Sequence, residues 1–176
     1  MIGKETERRK REEALASLYE QYYDKIARYI FIRIGNQQEA EDMASEVFLK
    51  ALRSLDFYRE RGLPMQAWLF KIAHNLVVDY IRKVSKRKLV PLDKVEIADT
   101  ANPEEIVEWH LQVEKLSEAL KHLSPAQREV IGLRFFAGLT SIEAGKILGK
   151  SPGAVREMQS LALKSLRKVL GGENQL

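Results

Sequence analysis

"TSIEAGKILGKSPGAVREMQS", residues 140–160, contains two short helical patterns hinged on a glycine. A helix-turn-helix needs a small residue where its two backbones cross, a glycine at the turn, and an apolar residue anchoring the second helix. Gly145, Gly149 and Val155 supply these at the required spacing, and Ala144, Leu148 and Met158 fill the remaining core positions. Three nearby helix starts carry an acid or an amide in the first turn: "NPEE" at 102–105, "SPAQ" at 124–127 and "TSIE" at 140–143. The start "SPGA" at 151–154 keeps the Ser cap and the Pro but has neither. A helix amino terminus presents free N–H donors and about half a positive charge, which suits a phosphate. Lys150 and Ser151 are placed to reach that phosphate, and Arg156, Gln159 and Ser160 to face base edges farther along. The expected occupant is DNA.

Outward from this stretch, every pattern is helical. Leu15, Leu18, Tyr22, Ile26 and Tyr29 recur at helical spacing as far as Gly35, a natural stop. Asn36 then caps a second helix, with Glu39 at the capping-box position and Ala40, Met43, Val47, Ala51 and Leu55 as its buried stripe. The loop "DFYRERGLP" leads into a third helix from about Met65 to Lys83, on which Trp68 reads as core. Residues 86–102 lack helical periodicity and contain a proline, and a fourth helix starts at Asn102-Pro103. "LSPAQREVIGLRFFAGLT" predicts a helix that ends at Gly138, ahead of the helix-turn-helix pair. The expected fold is all-α: a three-helix unit over 10–88, a flexible linker over 89–102, and a four-helix unit with the helix-turn-helix over 103–171.

Composition narrows the function. Of 176 residues, 45% are hydrophobic and 31% charged, the balance of a soluble globular chain. No apolar run is long enough to cross a bilayer, and the start "MIGKETERRKREE" has no signal-peptide core. A cytoplasmic protein without membrane insertion is expected. Cysteine is absent, which removes disulfides and thiol catalysis, and with three histidines no metal site is expected. There is no phosphate-binding glycine loop and no visible nucleophile–base pair, so neither an enzyme nor a cofactor is expected. The net charge of +4 is unevenly spread. "RKVSKRK" at 82–88 is mostly basic, residues 89–122 are acidic on balance, and 124–170 are basic again. Two basic blocks separated by an acidic one suggest two meetings with a polyanion.

Within the first unit, Glu39, Asp42 and Glu46 form one acidic stripe along the second helix. Like charges at that spacing cost a few tenths of a kcal/mol per pair, unless a basic partner faces them. The alternative is that acids simply suit early helical turns. The loop mixes Phe57, Tyr58, Arg59 and Arg61, side chains suited to stacking on unpaired bases. The third helix carries Lys71, His74, Asn75, Val78 and Arg82 on its polar face. His74 reads as a solvated surface residue, with a DNA contact as the alternative.

Three blocks in order, "EAEDMASEVFLKAL", "AWLFKIAHNLVVDYIRK" and "LSPAQREVIGLRFFAGLTSIEAGKILGKSPGAV", resemble a bacterial RNA polymerase sigma factor of the extracytoplasmic-function type. The resemblance covers about residues 14–88 and 111–170. It implies that the acidic helix docks on the β′ clamp helices of core RNA polymerase through Asp42 and Glu46, with Glu39 on the same stripe, and that the β subunit is a second contact. It implies reading of the promoter -10 element by Tyr58, Arg59, Lys71, Asn75 and Arg82. Reading of the -35 element falls to Ser151, Arg156 and Gln159, flanked by Lys150 and Ser160. The resemblance also admits an anti-sigma factor as a partner. The late recognition helix, "MQSLALKS", departs from the family, in which that stretch is often rich in Arg and His. A helix-turn-helix regulator acting without core polymerase is the rival reading. It would account for the second unit and leave 14–88 idle.

Overall fold

Helix boundaries follow from the caps just described. In a computed structural model, residues 1–59, 62–88, 115–116 and 118–172 are described. Helix α1 (Ile2–Ile34) ends at Gly35, whose φ of 73° is the left-handed cap that lets its N–H return to the Phe31 carbonyl. The Asn36 side chain accepts from the Glu39 N–H and starts α2 (Gln37–Arg53). A 3₁₀ turn (Leu55–Phe57) and a loop lead to α3 (Met65–Lys88), which extends past the expected end at Lys83. The expected linker at 89–102, the expected fourth-helix start at 102–103 and Arg61 lie outside the described residues.

In the second unit, capping boxes at Ser124/Gln127 and Thr140/Glu143 start α4 (Pro125–Ile131) and α5 (Ser141–Leu148). The last helix, α6, spans Pro152–Gly172. The stretch expected to stay α-helical as far as Gly138 changes at Gly132 into a π-helical turn (Gly132–Phe136). That turn packs beneath the Tyr29 ring of α1. A Cβ on Gly132 would lie 3.0 Å from Tyr29 Cε2, a tight contact that would make the ring give by a few tenths of an ångström.

The first unit buries Ala40, Ala44, Val47 and Ala51 of α2 against Tyr29 and Ile30 of α1 and Phe70 and Val77 of α3. Small residues on α2 bring the three helices close, and the Tyr29 and Phe70 rings meet edge to face at 5.6 Å. This core continues into the second unit through Val130, Leu133, Leu139, Ala144 and Val155. A second cluster packs Ile32 of α1 among Leu120, Leu123, Ile131, Ala162 and Leu166. The two units are therefore in direct apolar contact.

A charged cluster lies in the same seam. Glu129 of α4, 6% exposed, is the one buried charged residue among those described. Its carboxylate pairs with the Arg33 guanidinium of α1 and accepts hydrogen bonds from the Tyr29 hydroxyl at 3.2 Å and His74 Nδ1 of α3 at 2.8 Å. Burial, reinforced by the Arg33 charge, holds the His74 imidazole down at about 4, so it is a neutral donor at pH 7. Burial pushes the Tyr29 hydroxyl up to about 12, keeping it a donor as well. His74 is thus neither a solvated residue nor a DNA contact in this state. Its place on the polar face of α3 is explained by a polar partner from the other unit.

The helix-turn-helix geometry explains two glycines. Gly149 turns the chain at φ 66°, and a Cβ on Gly145 would lie 2.5 Å from the Lys150 carbonyl oxygen. That contact is with backbone, which cannot swing aside. Gly145→Ala is expected to destabilise the chain by about 1–3 kcal/mol, the usual cost of overpacking. Gly153→Ala, with only Ser151 Oγ as close as 4.0 Å, should be neutral or mildly stabilising. Denaturant melts of the two variants check this contrast.

Candidate nucleic-acid interface

Three exposed surfaces carry the residues singled out in the sequence. On α2, Glu39, Asp42 and Glu46 all face solvent while Ala40, Met43, Ala44 and Val47 are buried behind them. Gln38 donates to the Asp42 carboxylate at 3.3 Å, and Lys50 stands 4.0 Å from Glu46. Leu49, 51% exposed, shares the Asp42–Glu46 face, and Leu52 is exposed beside it. Neither leucine belonged to the stripe read as buried, and that mismatch was the available signal for an apolar contact among acids. An exposed acidic rim around a leucine is suited to a basic partner surface with an apolar centre.

The loop after α2 presents a different aromatic from the one expected. Tyr58 is 8% exposed, its hydroxyl donates to the Leu63 carbonyl at 2.9 Å, and its ring packs on Trp68 at 4.8 Å. In this arrangement the Tyr58 ring is engaged within the loop rather than offered to solvent. Phe57, one residue earlier and 83% exposed, is the aromatic that the loop offers to solvent. Adjacent residues on an irregular loop point apart, and composition alone could not rank the two. Arg59 is exposed and donates to the Asp56 and Tyr58 carbonyls at 2.9 Å each. Arg8 of α1 reaches Asp56 at 3.8 Å, so the early turns of α1 help to seat the loop.

On α3, Lys71, Asn75 and Arg82 are all exposed. At 3.6 residues per turn they fall within roughly 40° of one another around the axis, a single polar face beside the loop. Lys146 of α5, which the sequence reading did not single out, donates to the Gly62 carbonyl at 2.6 Å. With Phe57, Arg59 and Lys71 it lines a cavity of about 280 Å³ between the loop and the helix-turn-helix.

On the helix-turn-helix, Ser151 Oγ accepts from the Ala154 N–H at 3.1 Å, so the serine caps its own helix while remaining exposed. Lys150, Arg156 and Ser160 are exposed, and Arg156 donates to Ser141 Oγ at 3.1 Å, tying α6 to α5. Gln159 is half-buried, and its amide oxygen accepts from Arg134 Nε at 2.8 Å. Arg134 in turn donates to the Leu139 carbonyl. This chain orients the Gln159 amide. In the departing stretch of the recognition helix, Met158 packs on the core and Leu161 is exposed.

Comparison with known proteins places these surfaces in a family. Residues 18–87 match Sigma-70 region 2 and residues 119–168 match Sigma-70, region 4. The chain is 35% identical over 164 residues to the ECF RNA polymerase sigma factor BldN of Streptomyces coelicolor, covering 90% of this chain and 61% of that protein's length. It is 30% identical to the RNA polymerase sigma factor YlaC of Bacillus subtilis, covering 90% of this chain and 93% of YlaC. The fold is similar to that of the sigma factor RpoE from Bartonella quintana, solved with the anti-sigma factor NepR, at a TM-score of 0.74 and 23% identity over 90% of this chain and 98% of that one. The chain belongs to the extracytoplasmic-function class of RNA polymerase sigma factors. Two sigma regions in this order and relatives matched across both favour an alternative sigma factor over a free-standing helix-turn-helix regulator.

The loop geometry separates two adjacent aromatics. Tyr58→Ala is expected to lower stability by about 3 kcal/mol or more, as loss of a packed aromatic does. Phe57→Ala should leave the melting temperature within about 1 °C, since exposed substitutions rarely change stability much, while weakening binding to single-stranded DNA by about 1–3 kcal/mol. Thermal melts and fluorescence-anisotropy titrations with a single-stranded oligonucleotide check the pair.

Proposed function

We propose that the chain joins core RNA polymerase and directs initiation at promoters carrying -10 and -35 elements. The α2 face of Glu39, Asp42 and Glu46, with Leu49 among them, docks on the β′ clamp helices, and the second unit meets the β subunit. Arg59, Lys71, Asn75 and Arg82 engage the -10 element, Phe57 supplies the stacking ring, and Tyr58 holds the loop in shape. Lys150 and Ser151 take a -35 phosphate at the amino end of α6. Arg156, Ser160 and the amide of Gln159 face the bases.

The observation carrying this reading is the separation of acidic from basic exposed surfaces within one small chain. The acids of α2 lie on one exposed face, while Lys71 and Arg82 of α3 and Lys150 and Arg156 of the second unit are exposed elsewhere. A protein that bound only duplex DNA would have no use for an exposed acidic and leucine-bearing face. We further propose a cytoplasmic factor that catalyses no reaction itself. Among the described residues no helix is long and apolar enough to cross a membrane. An anti-sigma factor is proposed as an additional partner, the part that NepR plays for RpoE.

Asp42→Arg with Glu46→Arg should keep the helical signal and melting temperature. It should weaken binding to core polymerase by at least about 1.5 kcal/mol, more than tenfold. A folded double variant that binds core polymerase normally would refute the docking face. On a panel of -35 variants, Arg156→Ala should cost about 1–3 kcal/mol and relax preference at one position, while Ser151→Asp should weaken all promoters alike. Uniform loss with Arg156→Ala would make it a phosphate contact.

A further inference from the structure

We propose that the first three turns of α1 form a second wall of the path taken by the unpaired strand at the loop after α2, with Lys4 and Arg11 meeting its backbone phosphates. The inference rests on the sigma-factor reading above. It adds residues that lie outside the stretch matched to Sigma-70 region 2, which begins at residue 18.

The pattern starts in the sequence of the helix. Positions 4, 8, 11, 15, 18 and 22 of α1 fall within roughly 80° of one another around the axis at 3.6 residues per turn. From Leu15 onward that face is apolar, and Leu15, Leu18 and Tyr22 pack into the core of the first unit. In the first three turns the same face carries Lys4, Arg8 and Arg11. A merely solvated overhang needs no particular face for its bases. Here three of them gather on the face that turns inward.

What that face meets is the loop. Lys4, Arg8 and Arg11 line a cavity of about 570 Å³ together with Asp56 and Arg59. Arg11 and Arg59 also border a second cavity of about 580 Å³, whose lining includes Ala14, Leu18 and Met65. Both volumes lie in the range of roughly 300–1,000 Å³ that holds a small ligand. Arg8 is committed to Glu12 at 3.1 Å and Asp56 at 3.8 Å, and Arg9, on the other side of the helix, stands 3.9 Å from Glu13. Among the described residues, Lys4 and Arg11 have no carboxylate partner, although Glu5 and Glu7 flank the first cavity. Two guanidinium groups bordering the same space repel each other unless an anion lies between them. The anion that fits is a strand phosphate, because the groove runs into the loop on which Phe57 is 83% exposed. A basic groove beside an exposed ring is the composition of a single-strand site.

Fluorescence anisotropy with a single-stranded oligonucleotide, repeated across salt concentrations on the full-length protein, separates phosphate contacts from stacking. Each phosphate neutralised on a single strand contributes about -0.7 to the slope of log K against log salt. Arg11→Gln should make the slope shallower by about 0.7, and Lys4→Gln with Arg11→Gln by about 1.4, with affinity at low salt falling roughly three- to tenfold per base removed. Arg9→Gln removes the same charge about 160° around the helix from Arg11 and should change neither quantity. Phe57→Ala should weaken binding while leaving the slope unchanged. The helical signal and melting temperature should hold in every variant, since none of these positions is buried. Equal loss from Arg9→Gln and Arg11→Gln would mean a diffuse charge effect and overturn the site. An unchanged slope in the double variant, or a wild type that binds no single strand, overturns it as well. Normal strand binding with weaker binding to core polymerase would give this face to an acidic protein surface and likewise overturn the inference. All four results leave the sigma-factor reading standing, because that reading fails only if the wild type does not bind core polymerase, which is measured separately.

Discussion

A carboxylate taken out of water must find compensating partners or cost several kcal/mol, and that constraint organises this molecule. Glu129 sits at the centre of the seam, and its three partners come from two helices of the other unit. The same pairing fixes where α4 lies on α1 and α3, which brings Ile32 into the second cluster and Tyr29 over Gly132. From this placement follows the position of the helix-turn-helix beside the loop, with Lys146 bonded to Gly62. Remove the cluster and the seam keeps its apolar contacts and the Lys146–Gly62 bond, but loses its buried polar partners.

The second constraint is backbone proximity in the helix-turn-helix. With a Cβ at residue 145 only 2.5 Å from a carbonyl oxygen, α5 and α6 can cross as they do only at a glycine. That crossing leaves the amino end of α6 at the surface with Ser151 as its cap and no acid in its first turn. The amino end proposed to meet a phosphate therefore owes its accessibility to close packing as much as to the residues at the tip. Farther along, the Arg134–Gln159 bond spends an arginine on orienting an amide, a support that pre-organises a polar side chain before it meets a ligand.

Much of this was legible from residues. Caps at Gly35, Asn36, Ser124, Thr140 and Ser151 mark helix boundaries because each satisfies free backbone groups in a way that few side chains can. Gly145, Gly149 and Val155 were readable as a helix-turn-helix because the steric demands are local. The misreadings concern long-range or irregular structure. His74 and Glu129 are 55 positions apart, and nothing periodic links them. Tyr58 is buried and Phe57 exposed, a difference that could not be read from sequence because a loop has no face pattern that assigns one of them to the core. The π-helical turn at Gly132 answers to Tyr29, a neighbour that the local sequence does not contain.

Electrostatics divides the surface, packing sets the relation between its parts, and together they describe a factor that lends promoter specificity to a polymerase. The most direct test is reconstituted run-off transcription. Core RNA polymerase from a host of this family would be supplied with the purified chain and a library of fragmented bacterial DNA. The account predicts start sites that appear only with the chain present and share one -10 and one -35 sequence at fixed spacing. Core polymerase that starts at the same places with and without the chain, while the chain alone binds specific duplexes as a dimer, would contradict it.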